Sequence, residues 1–326
     1  MNDTCAVDSV VIMETLARLG VDPGSLQRYA VLNGGISGSQ VVRVWCDAGQ
    51  LVLKTSVAPS TIVRERAERE VAFYRMLAPV LPLATPTMLA SSTDGRGSAL
   101  LLTSYDAVEP PERWPERQYI EVAMHLARLH ARYWDATDVL GVYSWLRPFD
   151  GYAAALSDVI AAWRPLHDRL QALGHDHASL TRWLTNASRG LNALAERVSE
   201  VPVTLCHGDC HSGNLLRDAD GHLVWADWQE VGIGHGSRDV SFFVQRAMAD
   251  GAAVPEEQMF RAYHEQVEAE LGIEVSLHAL QQAADASELY TRLLHWPAYL
   301  TSATDRHIAE HRLRIEDLLS RSILNG

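Results

Sequence analysis

The sequence predicts an α+β chain in two lobes, a small N-terminal lobe built on an antiparallel sheet and a large, mostly helical C-terminal lobe. Three observations carry the prediction. At 326 residues the chain exceeds the size, about 250 to 300 residues, at which one core usually divides. Short β-branched runs broken by glycine turns occupy its first third. Apolar residues at three- and four-residue spacing dominate the rest of the chain.

Residues 28 to 54 read as strand, glycine-rich turn, strand, turn, strand, with GGISG at 34–38 and DAG at 47–49 as the breaks. A helix is expected over 61–78, where Val63, Ala67, Val71, Tyr74 and Leu77 fall on one face. The run SALLLTSYD at 98–106 reads as a buried strand, and the charge balance changes just after it, dividing lobes at 1–104 and 105–326. Beyond that point helices are expected over 118–134, near 151–172, over 180–198 and from about 255 to the end. Only two short apolar runs interrupt them, VPVTLCHGD at 201–209 and HLVWADWQ at 222–229.

With 47% hydrophobic and 21% charged residues the chain can bury a large core and does not resemble a disordered segment. No stretch reaches the roughly 18 apolar residues of a membrane span, and the start lacks a basic region followed by an apolar run, so a cytoplasmic protein with no membrane partner is expected. Four scattered cysteines, Cys5, Cys46, Cys206 and Cys210, read as free thiols rather than a disulfide framework. The net charge of −13 argues against a nucleic-acid partner. Residues 1–104 hold nine acidic and nine basic side chains, so the whole excess lies in the helical lobe, where it could concentrate a cationic small molecule or merely serve solubility.

Lys54, at the end of LVLK, is the only lysine in a chain that otherwise uses arginine. Its position could be accidental. On a helical wheel of 61–78, however, Glu70 falls inside the apolar stripe, whereas Glu65 and Glu68 fall outside it. A buried carboxylate is costly unless paired, and Lys54 on the neighbouring strand could supply the cation; the competing reading puts Glu70 at the stripe's edge, reaching solvent.

The densest signal is HGDCHSGNLL at 207–216 followed by VWADWQ at 224–229. Asp209 and Asn214 are separated by four residues, and Asp227 follows at the end of the next apolar run. Phosphoryl transfer uses this order: one aspartate accepts the proton of the attacking hydroxyl, while an asparagine and a second aspartate hold magnesium on the nucleotide phosphates. These strings, with the VLK strand and the REVAFYRML helix, resemble the aminoglycoside phosphotransferase and choline kinase group, which has the protein-kinase-like fold. The resemblance, spanning about residues 32 to 243, implies Asp209 as catalytic base and Asn214 and Asp227 as Mg2+ ligands. It implies Lys54, held by Glu70, on the α- and β-phosphates of ATP, with GTP as the alternative nucleotide. Gly34, Gly35, Ser37, Gly38, Ser104 and Tyr105 are the further nucleotide-binding candidates, and His207 and Asp239 the supports of the catalytic loop. A lysine suits the phosphate role because an ammonium is a compact, flexible point charge where an arginine fork is not.

Departures from the protein-kinase pattern also inform. GGISGSQ is not G-x-G-x-x-G and could simply form a hairpin. Gly208 stands where protein kinases have the loop arginine, and no A-P-E segment follows Asp227. Activation-loop phosphorylation then has no grip, favouring a constitutively active kinase of small molecules. The acceptor expected is a hydroxyl-bearing antibiotic, cationic and aminoglycoside-like, with Gln229 and Glu230 as candidate contacts. Choline, an amino alcohol or a sugar is the metabolic alternative; eight of the nine tryptophans lie after residue 104 and could cage a quaternary amine, or Trp134, Trp163 and Trp183 could be packing residues. Two readings of other classes remain. Cys206, His207, Cys210 and His211 could form a metal site, although their spacing matches no common ligand pattern. The chain could also be a non-catalytic nucleotide-binding module, as a monomer or homodimer, although all five polar positions such a module could lose are present.

Overall fold

A computed structural model describes residues 8–32, 39–57, 60–94, 97–149 and 152–324. The glycine turn with Gly34, Gly35, Ser37 and Gly38 lies outside the described residues, as does Cys5. Two compact units emerge, one made of 1–109, 144–146 and 213–231, the other of 110–143, 147–212 and 232–326. The division is therefore not the single cut expected at 104/105. Residues 213–231 join the first unit because Leu215–Arg217 pairs antiparallel with both Asp106–Ala107 and Leu223–Trp225, and the Trp225 amide donates to the Ala84 carbonyl at 2.8 Å.

The first unit is built on β1 (Arg28–Leu32), β2 (Ser39–Cys46), β3 (Gly49–Val57), β4 (Met88–Asp94) and β5 (Gly97–Thr103), ordered β1-β2-β3-β5-β4 with every pair antiparallel. Alternation puts Val42, Val44, Leu51, Leu53, Ala99 and Leu101 on one face, and α1 (Ser9–Arg18) covers it with Ile12 and Leu16. The sequence reading passed over α1, although Asp8 is a capping residue that accepts from the Val10 amide, and Ile12, Leu16 and Leu19 keep helical spacing. Lys54, next to Leu53, must point to the opposite face, with Val41 and Leu100 as its strand neighbours. Helix α2 (Thr61–Met76), capped by the Ser60 hydroxyl, closes the expected 61–78 stretch two residues early.

The second unit is helical as expected: α3 (Glu116–Arg132), α4 (Thr137–Leu140), α5 (Leu156–Trp163), α6 (His167–Ala172), α7 (His177–Val198), α8 (Ser237–Ala249), α9 (Glu256–Leu271), α10 (Leu277–Tyr290), α11 (Trp296–Leu300) and α12 (Asp305–Leu324). The segment near 151–172 breaks into α5 and α6 around a 3-10 turn at Arg164–Leu166, where Pro165 lacks the amide hydrogen. A small sheet, Arg147–Pro148, Gly232–Gly234 and Thr204–Cys206, carries the chain into the HGDCH loop. Between α10 and α11 the helix loosens into a π turn, Thr291–His295. Pro297 explains it: the missing amide leaves the Leu293 carbonyl without its donor, and the buried Trp163 indole donates to that oxygen at 3.0 Å. Trp163, fully buried in the helical core, also packs edge-on to Trp183 at 5.1 Å. Among the described residues no helix is long and apolar enough to cross a membrane, and Cys46, Cys206 and Cys210 are free thiols.

Buried charge fastens the last helices. Glu288 of α10 accepts from Arg292 at 2.7 Å and from Arg314 of α12 at 2.8 Å, and Arg314 also reaches Glu256 of α9 at 2.8 Å. Beside them His311 accepts from the Arg292 guanidinium through Nδ1 at 3.0 Å and donates from Nε2 to the Arg292 carbonyl at 2.9 Å, which fixes the neutral tautomer. Burial first, and then the Arg292 charge, hold its pKa down to about 4. The unfolded imidazole takes its proton near the ordinary 6.5 and the folded one does not, so stability is complete above that pH and falls as pH drops toward 4. Unfolding titrations of the wild type should show this loss, and His311→Gln should make it shallower.

Candidate active site

Lys54 is central to the polar cluster of the first unit. Its Nζ lies 2.7 Å from Glu70 Oε2 and donates to Asp227 Oδ1 at 2.8 Å. The Lys54–Glu70 pair inferred from the wheel is thus formed, with Glu70 only 3% exposed. Burial opposes the lysine's charge, but the two carboxylates outweigh it and hold Lys54 protonated above its usual range. Burial lifts the Glu70 carboxyl against the pull of Lys54, and at 2.7 Å from an ammonium we read the pair as ionised.

Asp227 has φ of +59°, a left-handed backbone that costs a non-glycine residue of order 1–3 kcal/mol and that clusters at functional sites. Its neighbours clamp it there. Trp228 stacks on Phe73 of α2 with ring centroids 4.2 Å apart, and the Trp228 indole donates to the Trp225 carbonyl at 2.9 Å. The Ala226 amide donates to the Asn214 carbonyl at 3.0 Å, bringing the segments of both expected metal ligands together. Arg69 of α2, itself buried, donates to the Gln229 carbonyl at 2.7 Å, and Arg66 and Arg69 both pair with the Glu230 carboxylate.

Gln229 and Glu230, the acceptor contacts expected from the sequence, lie on this segment. Gln229 is buried, and Glu230 pairs with the two arginines. The sequence reading missed those arginines; their signal was Arg66 and Arg69, one turn apart on the helix that carries Glu70. Ser104 and Tyr105 follow β5 in the same unit, where the Ser104 hydroxyl accepts from Gln50 at 3.3 Å and the Tyr105 carbonyl accepts from Arg43 at 2.8 Å.

In the second unit Asp239 organises the HGDCH loop. Its carboxylate accepts from the His207 amide at 2.6 Å and the Gly208 amide at 3.0 Å, and lies 3.3 Å from His130 Nε2. Burial works against its charge, yet His130, His207 and the Gly208 amide outweigh it and keep the carboxyl below the usual range. Gly208 has φ of +85°, which suits glycine and accounts for its place where protein kinases carry arginine. His207 is fully buried, and its Nδ1 accepts from the Asp209 amide at 3.3 Å. Asp209 stands half-buried beyond this anchor, with His211 Nε2 3.7 Å from its carboxylate.

His130 is part of this anchor as well: its second nitrogen meets the Tyr263 hydroxyl at 2.9 Å, and its carbonyl accepts from Thr204 at 2.7 Å. Nothing in the sequence pointed to it, because its partners lie 133 and 109 residues away. The four-residue Cys/His metal reading loses its ligands. Among the described residues Cys206 clusters with His130 and Asp239, and Asp239 is already committed to two amides and an imidazole. Asp239→Ala should cost about 3–5 kcal/mol, the scale for removing one partner of a buried charged network, read as a lower denaturation midpoint.

An aspartate on an anchored loop in one unit, and a protonated lysine near hard oxygen donors in the other, are each parts that phosphoryl transfer uses. The model of the phosphotransferase enzyme family matches residues 28–273. The chain belongs to that family. This phosphotransferase is a nucleotide-dependent enzyme acting on hydroxyl groups, with the α+β kinase-like fold that the sequence predicts. Among solved structures it is similar to the GDP complex of wild-type aminoglycoside 2'-phosphotransferase-IIIa, at 15% identity and TM-score 0.63, covering 96% of this chain and 97% of that one. It is also similar to the macrolide 2'-phosphotransferase MphH from Brachybacterium faecium, at 19% identity and TM-score 0.55, covering 96% and 97%. A third is the Plasmodium vivax ethanolamine kinase, at 13% identity and TM-score 0.59, covering 96% and 87%. At these identities the likeness establishes the phosphotransferase's fold and leaves its acceptor open. No curated protein matches the sequence.

Proposed function

We propose that the protein transfers the γ-phosphate of ATP, with GTP as the alternative donor, to a hydroxyl of a small antibiotic or metabolite. The observation that carries this is Lys54, the only lysine, buried between Glu70 and Asp227. In this reading Lys54 neutralises the α- and β-phosphates while Glu70 fixes where its ammonium stands. Asp209 accepts the proton of the attacking hydroxyl, a contribution of about 10²- to 10⁴-fold. Asp239 and His207 hold the Asp209 loop in place, and Gln229 and Glu230, on the segment after Asp227, are the candidate acceptor contacts. Gly34, Gly35, Ser37, Gly38, Ser104 and Tyr105 are the further nucleotide-binding candidates.

The donor set suits magnesium. An Asp227 carboxylate and an Asn214 side-chain carbonyl are hard oxygen ligands, and the Ala226–Asn214 hydrogen bond ties their segments together. When bound, the ion would neutralise charge on the nucleotide's phosphate oxygens. This chain's own residues bind, orient and accept the proton.

The antibiotic reading draws on the neighbouring folds, two of which are named as aminoglycoside and macrolide phosphotransferases. The ethanolamine kinase supports the metabolic alternative equally well. A cationic acceptor rests on the acidic excess alone. The protein is read as cytoplasmic, a monomer or homodimer, without a nucleic-acid or membrane partner. The test is magnesium-dependent nucleotide consumption against antibiotics, choline, ethanolamine and sugars, with the product mass measured and Asp209→Asn as blank. A mass gain of one phosphate on an acceptor supports the reading; nucleotide binding without any transfer restores the non-catalytic module.

A further inference from the structure

Two arginines gather around one aromatic ring in the second unit. Phe149 lies across the strand Gly232–Gly234, which pairs with Thr204–Cys206, the strand that runs directly into the Asp209 loop. The Phe149 amide donates to the Ile233 carbonyl at 2.7 Å, and a side chain at Gly234 would stand 2.9 Å from the Phe149 ring, so the ring is fitted to this strand. The Arg238 guanidinium stacks over the same ring at 3.9 Å, and Arg147 lies 5.9 Å from its centre. Arg238 immediately precedes Asp239, the anchor of the catalytic loop, but that carboxylate is taken up by His130 and the two loop amides. Among the described residues no carboxylate lies within 4.0 Å of Arg238, which is half-buried.

Aromatic and neutral groups lie near these arginines. Tyr152 and Tyr290 meet at 6.4 Å, and Tyr290 packs edge-on to His295 at 5.3 Å, at the end of the π turn. Desolvation first, and then the charges of Arg238 and Arg147, lower the His295 pKa below its ordinary value, although the side chain is exposed. Its response also places both arginines within electrostatic reach of it.

From this arrangement we propose that the acceptor carries an anionic oxygen group, a carboxylate or a phosphate, which Arg238 binds beside these aromatic groups. This rests on the kinase reading and narrows its substrate class away from polycationic antibiotics. The net charge of −13 does not oppose it. Exposed charges beyond the Debye length of about 8 Å are largely screened at physiological salt, whereas a guanidinium in hydrogen-bond contact is not. The planar fork of Arg238, pre-oriented by the Phe149 face, suits two-oxygen recognition, and stacking on the ring leaves its edge for the ligand.

Glucose, glucosamine, glucuronate and glucose 6-phosphate share one ring and differ in charge and in the kind of anion. Their binding to the intact protein, measured by ligand-observed NMR, is expected to rank at least one of the two anions about 10-fold or more above glucose, with glucosamine no better than glucose. Comparing glucuronate with glucose 6-phosphate tells carboxylate from phosphate. Arg238→Gln should bring the preferred anion down to the level of glucose, and Arg238→Lys should retain part of the preference. Circular dichroism and nucleotide affinity serve as checks that both variants fold. Equal binding of all four, preference for glucosamine, or an anion preference unchanged in folded Arg238→Gln would overturn the proposal. Turnover assays separate this failure from that of the kinase reading: phosphorylation of cationic or neutral acceptors alone, unaffected by Arg238→Gln, keeps the kinase and discards the anion site. Anion binding lost in Arg238→Gln, without transfer to any acceptor, keeps the site and discards the kinase.

Discussion

Replacing Asp209 by asparagine should lower kcat by about 10²- to 10⁴-fold while leaving nucleotide affinity and the unfolding midpoint near wild type. The substitution keeps the size of the side chain and removes only its basicity. The loop is anchored by other groups, because Asp239 holds the His207 and Gly208 amides and His207 takes the Asp209 amide. Rate loss without loss of fold is thus expected, to be read in single-turnover phosphate transfer alongside nucleotide titration. Wild-type turnover by the asparagine variant would remove Asp209 from the role of base.

Lys54→Arg should be nearly as damaging although it conserves charge. The ammonium sits 2.7 Å from Glu70 and 2.8 Å from Asp227 on a side chain 9% exposed, and a planar guanidinium needs more room than a buried point charge. A displaced cation would also disturb Asp227, whose left-handed backbone is held partly by this bond. A fall in kcat/KM of about 10²-fold is expected, the scale for losing one well-placed electrostatic contact to the transferring group. Full activity would mean that the lone lysine is accidental.

Much of this arrangement was legible because its signals are local. The alternation of β3, the wheel position of Glu70 and the spacing of Asp209, Asn214 and Asp227 each fit within one element or one loop. What escaped depends on distant partners. His130 matters only because chain returning more than 100 residues later brings Asp239 and Tyr263 to it. Arg66 and Arg69 gain their partner Glu230 only from chain some 160 residues on, and residues 213–231 join the first unit through pairing with a two-residue strand no periodicity could reveal. The π turn was signalled by Pro297, but its compensation by Trp163 was not.

Lys54 gives the molecule one further property, as a reagent target. It is the only side-chain amine in the sequence, and in the folded state it is buried and protonated. Amine-directed labels should therefore spare every side chain of the native protein and acylate this one when the first unit opens, making a single mass increment a clock for local unfolding.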